Sequence, residues 1–519
     1  MTAFGRETSR RIIPRWHSID RALRQGELGS LRAPSVDAAL RQEADEELER
    51  AEADWRDTSM ISAAALLVGA ATVLGRSAST DEAARALVAA PNVPEPTRRL
   101  AREVLAADGL VVPPSAATVA ATLDPTAQRE RAAVRIAELK AAVRRDPRQP
   151  LAWAELARQY EVLGQREPGE RAMSMAIKLS PDNRFVLRSA ARLAVHHGDP
   201  EQGQRLLSGS SRTRLDPWLL SAEIATASLG GRTSRLIKHG RRVLDSQNFA
   251  DSDTTELASA LATEELVTGQ TKQARRLFDQ ALEDPTENSV AQVEWASRHG
   301  GMIVLTPEHL ETPDSYEARA WQHAEHGEWH QVVDNSWLWL AALPFAAAPG
   351  VFGSYHASIG RDFEQGAALA RAALLANPYE FLLHNNLAFC LLQLDRVEEA
   401  QPHLDAMLQL KKDADEEATT RATLGLAAFR RGDPETGRAL YEEAIRSARD
   451  PGVAVIASIE LAREEVLAGT PRASVAVMAA RAIAAAQLPT AVVRRPAIEL
   501  LLHHLDETIA RAAEPAPAR

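Results

Sequence analysis

One cysteine, Cys390, stands in a chain of 519 residues, which rules out an internal disulfide framework and any paired-thiolate metal site. Its neighbours are apolar and helix-forming, so it reads as a small buried hydrophobe in a reducing, cytoplasmic compartment. Aromatic residues make up only 5% of the chain, and each ring therefore asks for its own explanation. Long apolar runs are missing as well. Met60–Gly75, the most hydrophobic stretch, would make a helix of about 24 Å against about 30 Å of hydrocarbon, so no membrane span is expected. No uninterrupted apolar segment follows the charged residues of the N-terminus, and no secretion signal is expected. Lysine is scarce beside alanine and arginine, the composition of a GC-rich bacterial coding sequence.

Motifs for chemistry are equally short. The sequence has no Gly-x4-Gly-Lys-Ser/Thr phosphate loop, no His-Glu-x-x-His zinc helix and no Gly-x-Ser-x-Gly elbow, so neither a catalytic constellation nor a cofactor is expected. The densest cluster of ligating residues is AWQHAEHGEWHQVVD, with His323, Glu325, His326, Glu328, His330 and Asp334. Gly327 falls at a turn there and would send His330 onto a different helix, so no metal site is assigned. The pairs His196–His197 and His503–His504 are adjacent in sequence and are expected to point to different sides of a helix.

A net charge of −11 argues against a nucleic-acid clamp. The N-terminal stretch as far as Arg32 is locally basic, with Arg6, Arg10, Arg11, Arg15, Arg21, Arg24 and Arg32. It reads as a solvated, arginine-rich helix surface, with a contact to a partner tail or phosphate as the alternative.

What is present is a helical period, broken at intervals by Gly and Pro. Between Pro150 and Pro181 the large residues Trp153, Leu156 and Tyr160 share one helical face with Ala157 beside them. Gly164 stops that helix. Gly169, Met173 and Ala176 form the matching face of a second helix, which Pro181 ends. Ala262, Gly269, Ala274, Phe278 and Ala281 repeat the pattern, as do Leu387, Ala388, Ala400 and Leu404. So do Leu424, Gly425, Gly432, Gly437, Tyr441 and Ala444, with weaker copies around Gly198, Gly230 and Gly469. Gly327, Arg361 and Asp395 recur at one turn position with a constant interval, and Pro344 and Pro378 mark helix ends at that same interval.

This size order resembles the tetratricopeptide repeat, whose unit is a helix–turn–helix of about 34 residues. The resemblance runs over about residues 125–485 and implies an all-α fold, an α-solenoid of stacked hairpins. The expected organisation is an N-terminal helical cap at 1–110, a front array at 118–298, an interrupting joint at 299–315, and a rear array at 316–485. A capping helix at 486–512 and a disordered tail at 513–519 follow.

In the family, the first helix of each unit lines a concave groove. One groove position gives Trp321, Tyr355 and Phe389, each one repeat after the last. Asn385 and Asn386 lie beside Phe389, and Asn386 falls where peptide-clamping members bond a bound chain. The basic partners of that clamp are absent, since the neighbouring units offer Val351, Tyr355, Thr419 and Thr423, so an apolar ligand fits better. Trp329, Trp337 and Trp339 fall on the second helix and are assigned to packing. The resemblance implies a non-enzymatic scaffold that binds a segment of another protein in this groove. The alternatives are a sensor whose arrays rearrange about residues 299–315, and an enzyme subunit with its chemistry in residues 1–110 or at the histidine cluster of His323, His326 and His330.

Overall fold

The computed structural model describes residues 12–24, 27–74, 78–106, 115–300, 303–410, 412–489 and 494–513. Among them every regular element is a helix. The described residues begin with an irregular stretch and a short helix, α1 (Ile19–Arg24), followed by α2 (Pro34–Thr58), α3 (Ile61–Leu74), α4 (Ala78–Ala89) and α5 (Glu95–Ala106). Contacts divide the molecule into two units. The smaller holds Ser30–Ser115 with Arg242–Asp253. There α2 to α5 pack around Trp55, Leu67, Val68, Leu87 and Val104, and the apolar run from Met60 is α3, which buries Ala64, Leu67 and Val68 and leaves Leu66 exposed.

The larger unit takes in the described residues of Met1–Gly29, Ala116–Arg241 and Thr254–Arg519. Its helices are α6 (Ala116–Thr122), α7 (Pro125–Arg145), α8 (Pro150–Val162), α9 (Arg166–Leu179), α10 (Arg184–His196), α11 (Pro200–Gly209), α12 (Pro217–Leu229), α13 (Ile237–Asp245), α14 (Asp251–Val267), α15 (Thr271–Ala281) and α16 (Glu287–Gly300). A single turn, α17 (Pro307–Leu310), leads to α18 (Tyr316–Glu325), α19 (Trp329–Ala342), α20 (Ala348–Ile359), α21 (Phe363–Leu374), α22 (Phe381–Gln393), α23 (Val397–Gln409), α24 (Ala414–Arg430), α25 (Pro434–Ser447), α26 (Pro451–Leu467), α27 (Ala473–Gln487) and α28 (Arg495–Ala513). Consecutive helices pack as antiparallel hairpins, and the first helices α20, α22, α24 and α26 touch in succession, so each hairpin hides its apolar face against the next. The unit is an α-solenoid.

Local chemistry sets the hairpin boundaries. Asp199, Asp362 and Asp433 each accept a backbone N–H in the first turn of the second helix, while Asn183, Asp216, Asp413 and Asp450 do so for first helices. The turn between the two helices needs one left-handed residue. Gly164, Gly327 and Gly432 take it with φ of 64°, 73° and 80°; Arg361 and Asp395 take the same conformation at 62° and 58°. Both non-glycine turns keep the same pair of closing hydrogen bonds, Arg361 N–H to Ser358 O with Asp362 N–H to Ala357 O, and Asp395 N–H to Leu392 O with Arg396 N–H to Leu391 O. In the copy around Gly230 the left-handed residue is its neighbour Gly231, at 72°.

Close approach is the other use of small residues. A Cβ on Gly425 would lie 2.9 Å from Gly437 O, and one on Gly437 would lie 2.5 Å from Phe429 Cδ2. Trp337 and Trp339 are buried on α19, Cys390 is buried on α22, and Trp329 is half-buried.

Residues 299–315, expected to be a joint, run from the end of α16 to the start of α18. α16 packs directly on α18 across them, although Gly301 and Met302 lie outside the described residues. The segment Ile12–Gly29 groups with the repeats and not with residues 30–115, which divides the stretch 1–110 expected to form a single cap. The terminal residues 514–519, where a disordered tail was expected, also lie outside the described residues.

Candidate peptide-binding site

First helices of both arrays carry surfaces where a bound segment was expected, and those of the front array are covered by the chain itself. First helices of the front array carry Arg184, Arg188, Glu256, Glu287 and Asn288, all buried, and the chain's own N-terminal segment lies against them. Asn288 Nδ2 donates to Ile13 O at 3.1 Å, and Arg184 Nη1 donates to Gly29 O at 2.9 Å. Trp16 is fully buried in a cluster with Ile136, Leu139 and Phe345, its ring 5.3 Å from that of Phe345. His17 lies between two carboxylates, Nδ1 2.9 Å from Glu27 and Nε2 2.8 Å from Glu287. Arg15 pairs with Glu317 at 2.5 Å and Arg21 with Asp314 at 2.9 Å, so the segment also ties α16 to the start of α18.

Arg15 and Arg21 are therefore largely covered ion-pair partners, each 11% exposed, and not the solvated surface expected of the basic N-terminus, because acidic groups of α16 and α18 face them. Arg6, Arg10 and Arg11 lie outside the described residues, as does the side chain of Arg24. Sequence reasoning missed this captured segment. Its signal was a tryptophan and a histidine, Trp16 and His17, set among arginines in a chain poor in rings.

The rear array is open. A cavity of about 420 Å³ lies along the first helices α20, α22, α24 and α26, with Leu501 of α28 at its side. Tyr355, Phe389, Ile456, Ala457 and Leu501 make an apolar floor, and Asn385, Asn386, Thr419 and Thr423 supply amides and hydroxyls. Around it stand Glu380, Asp413, Asp415, Glu416, Asp450 and Glu460; among the described residues no lysine, arginine or histidine lines the cavity.

Asp413 accepts from the N–H groups of Asp415 and Glu416, and Asp415 from those of Arg449 and Asp450; such bonds hold the carboxylates in place while leaving their charge. Asp450 is matched by Arg494 through two 2.8 Å bonds, and Glu460 by Arg463. Burial pushes the Glu460 carboxyl above its ordinary range, with Arg463 opposing. Burial likewise raises the phenols of Tyr355 and, more strongly, Tyr441, so both keep their protons and can donate.

Of the five expected groove residues, the structure brings Tyr355, Phe389, Asn385 and Asn386 together around this cavity. Trp321 is elsewhere. It is 7% exposed and wedged between the Arg298 guanidinium, 3.7 Å from the ring centre, and the Phe352 ring at 4.4 Å. The repeat spacing was right, but α16 supplies an arginine that stacks on this ring and turns it into core.

Asn386 needs a second correction. Its amide donates to Val351 O and Ser354 Oγ and its oxygen accepts from Asn385, so it fastens α22 to α20 and has no hydrogen to offer a bound chain. Asn385 accepts from Thr423 Oγ1 and uses one amide hydrogen on Asn386, which leaves the other for a ligand.

The packing positions behave as a shared core. Leu156, Ala157, Met173 and Ala176 are buried together, with Trp153 and Tyr160 half-buried against them. Leu387, Ala388, Ala400, Leu404 and Tyr441 belong to one cluster with Leu424 at its edge, and Ala262, Ala274, Phe278, Ala281 and Ala444 are fully buried. In the histidine-rich stretch, His323 pairs with Glu328 at 2.5 Å and His326 bonds its own helix at Gln322 O.

Residues 379–450 match the family model of the tetratricopeptide repeat. The tetratricopeptide match covers the hairpins α22/α23 and α24/α25, and so includes Asn385, Phe389 and Thr423 of the cavity wall. No curated protein matches the chain. Among solved structures, a crystal structure of the APC/C hetero-tetramer Cut9-Hcn1 is 14% identical over 92% of this chain and 95% of that one, with a TM-score of 0.40. Yeast Tom70 is 13% identical over 77% of this chain and 97% of that one, at 0.29. A human IFIT1 dimer with PPP-AAAA is 13% identical over 69% of this chain and 90% of that one, at 0.36. Likenesses of this degree carry no argument about function.

Proposed function

We propose that this protein is a non-enzymatic adaptor whose tetratricopeptide-like rear array captures a segment of a partner protein in the groove of α20, α22, α24 and α26. The observation that supports this reading is the open cavity with an apolar, aromatic floor and a carboxylate rim, set beside a front groove already filled by residues 12–29. A floor of Tyr355, Phe389 and Leu501 takes an apolar or aromatic side chain. The rim of Asp413, Asp415 and Glu416 favours lysine or arginine on either side of it and repels acidic segments. Asn385 offers its remaining N–H to a backbone carbonyl of the bound segment. The volume suits one or two anchoring side chains, with the rest of the segment lying along the helices.

The test is selection of random peptides on the full chain, followed by calorimetric titration of the enriched sequences. Peptides with an apolar anchor flanked by basic residues are expected, weakened about 10-fold or more by Phe389→Ala, in the range of a lost anchor of about 1–3 kcal/mol. Enrichment of acidic peptides, or equal affinity for the wild type, Phe389→Ala and Tyr355→Ala, would reject the groove.

A further inference from the structure

A histidine–carboxylate cluster lies away from the groove, where the hairpin of α8 and α9 meets α10, the first helix of the next hairpin. Glu161 sits in the last turn of α8, His196 ends α10, His197 caps it, and Glu170 lies one turn into α9. The pair His196–His197 was expected to diverge. Instead both rings turn to Glu161: His197 Nε2 is 2.9 Å and His196 Nε2 is 3.7 Å from the same oxygen, Oε2. His197 is the C-cap of α10, just before the left-handed Gly198. One ligand atom from each of Glu161, His196 and His197 lies within 4.8 Å of the others.

We propose that Glu161, His196 and His197 form a site for a divalent transition metal of the zinc class. Four-coordinate zinc with bonds of about 2.0–2.1 Å places its ligand atoms about 3.3 Å apart. The separations of 2.9 and 3.7 Å bracket that value, so small side-chain rotations complete the site. Two imidazoles and one carboxylate are the donors that zinc favours, and three protein ligands leave a fourth position for water.

Three further observations point to a cation here. Glu161 is 2% exposed, and its other oxygen, Oε1, is buried without a hydrogen-bond partner. Gly169 of α9 makes room for that carboxylate, since a Cβ there would collide with Oε1. His197 Nδ1 lies 3.0 Å from Glu170 Oε1, which leaves Nε2 facing the site. With acceptors on both sides of the ring, one ring proton serves only one of them. A carboxylate behind a metal-binding histidine is the arrangement that fixes ring orientation in such sites. Bound metal would clamp α8 to α10, joining two successive hairpins.

Chelator-stripped full-length protein, titrated with zinc chloride alone, is expected to take up one equivalent. Its cobalt(II) form is expected to show the visible absorption of a four-coordinate site. His197→Gln should abolish both signals. Glu170→Gln, at a half-exposed position outside the ligand set, should fold normally and bind zinc about 10-fold more weakly. No stoichiometric uptake by the wild type, or undiminished uptake by folded His197→Gln and Glu161→Gln variants, would overturn the assignment.

Discussion

Removing the charge on His17 should uncouple the front groove from pH. Burial alone pushes this imidazole down, but the carboxylates of Glu287 and Glu27 outweigh burial, and its pKa rises from 6.5 to about 9. Arg15, Arg21 and Arg188 surround the same carboxylates. The folded state thus holds a proton that the unfolded chain releases near pH 6.5. The stabilisation is complete below that pH and is lost as pH climbs toward 9, where the difference amounts to about 3 kcal/mol. Glu287 and Glu27 act in the opposite sense: both are held below the usual carboxylate range, against burial, chiefly by His17 and by Arg188 respectively, so their contribution is present above about pH 4.5 and fails as acid protonates them. Stability should therefore plateau between about pH 4.5 and 6.5 and fall on both sides. Amide exchange of residues 12–29 and urea unfolding followed by tryptophan fluorescence, at pH 6, 7, 8 and 9, read this directly. His17→Gln should lower stability at pH 6 and flatten the slope above it. A slope equal to that of the wild type would refute the account.

Four other outcomes follow from the packing and the turns. Arg361→Gly and Asp395→Gly, at left-handed positions of 62° and 58°, should each stabilise the fold by up to about 1 kcal/mol in urea titrations, because a β-carbon is unfavourable there. Gly437→Ala should destabilise by about 1–3 kcal/mol in the same assay, since its Cβ meets the Phe429 ring at 2.5 Å. Cys390 is buried, and burial pushes its thiol up to about 12, so a thiol reagent at pH 8 should leave it unmodified until denaturant is added. Trp321→Ala should lower the melting temperature yet leave binding of selected peptides unchanged, whereas Phe389→Ala, which also removes a contact with Phe363, should weaken binding.

Periodicity carried much of the fold. Trp153 to Pro181 announced a hairpin because size and spacing alone define which faces can meet, and α8 and α9 occupy that stretch. The regular recurrence of Gly327, Arg361 and Asp395 survives in the backbone although two of the three are not glycine, since the turn's hydrogen bonds impose the conformation whatever the side chain. The candidate site was legible only in part. Tyr355, Phe389 and Asn385 reach the cavity from their repeat positions, but Trp321 shares that position and is covered, because what lies over a residue depends on a neighbouring helix that spacing does not encode. Asn386 shows the same gap: the residue type was right for a bound chain, while its hydrogens serve α20. The docking of residues 12–29 and the convergence of Glu161 with His196 and His197 join positions with no periodic relation, so no single-sequence pattern reveals them.

The capture of the N-terminal segment imposes an order on synthesis. His17 leaves the ribosome 270 residues ahead of Glu287, its acceptor on α16. At about 5–20 residues per second, that is roughly 15 to 50 seconds during which the front array grows with its furrow vacant and a tryptophan-bearing leader exposed. Whatever tends this protein as it emerges, chaperone or partner, has that interval in which to hold Trp16, and the finished molecule then closes over the place where it acted.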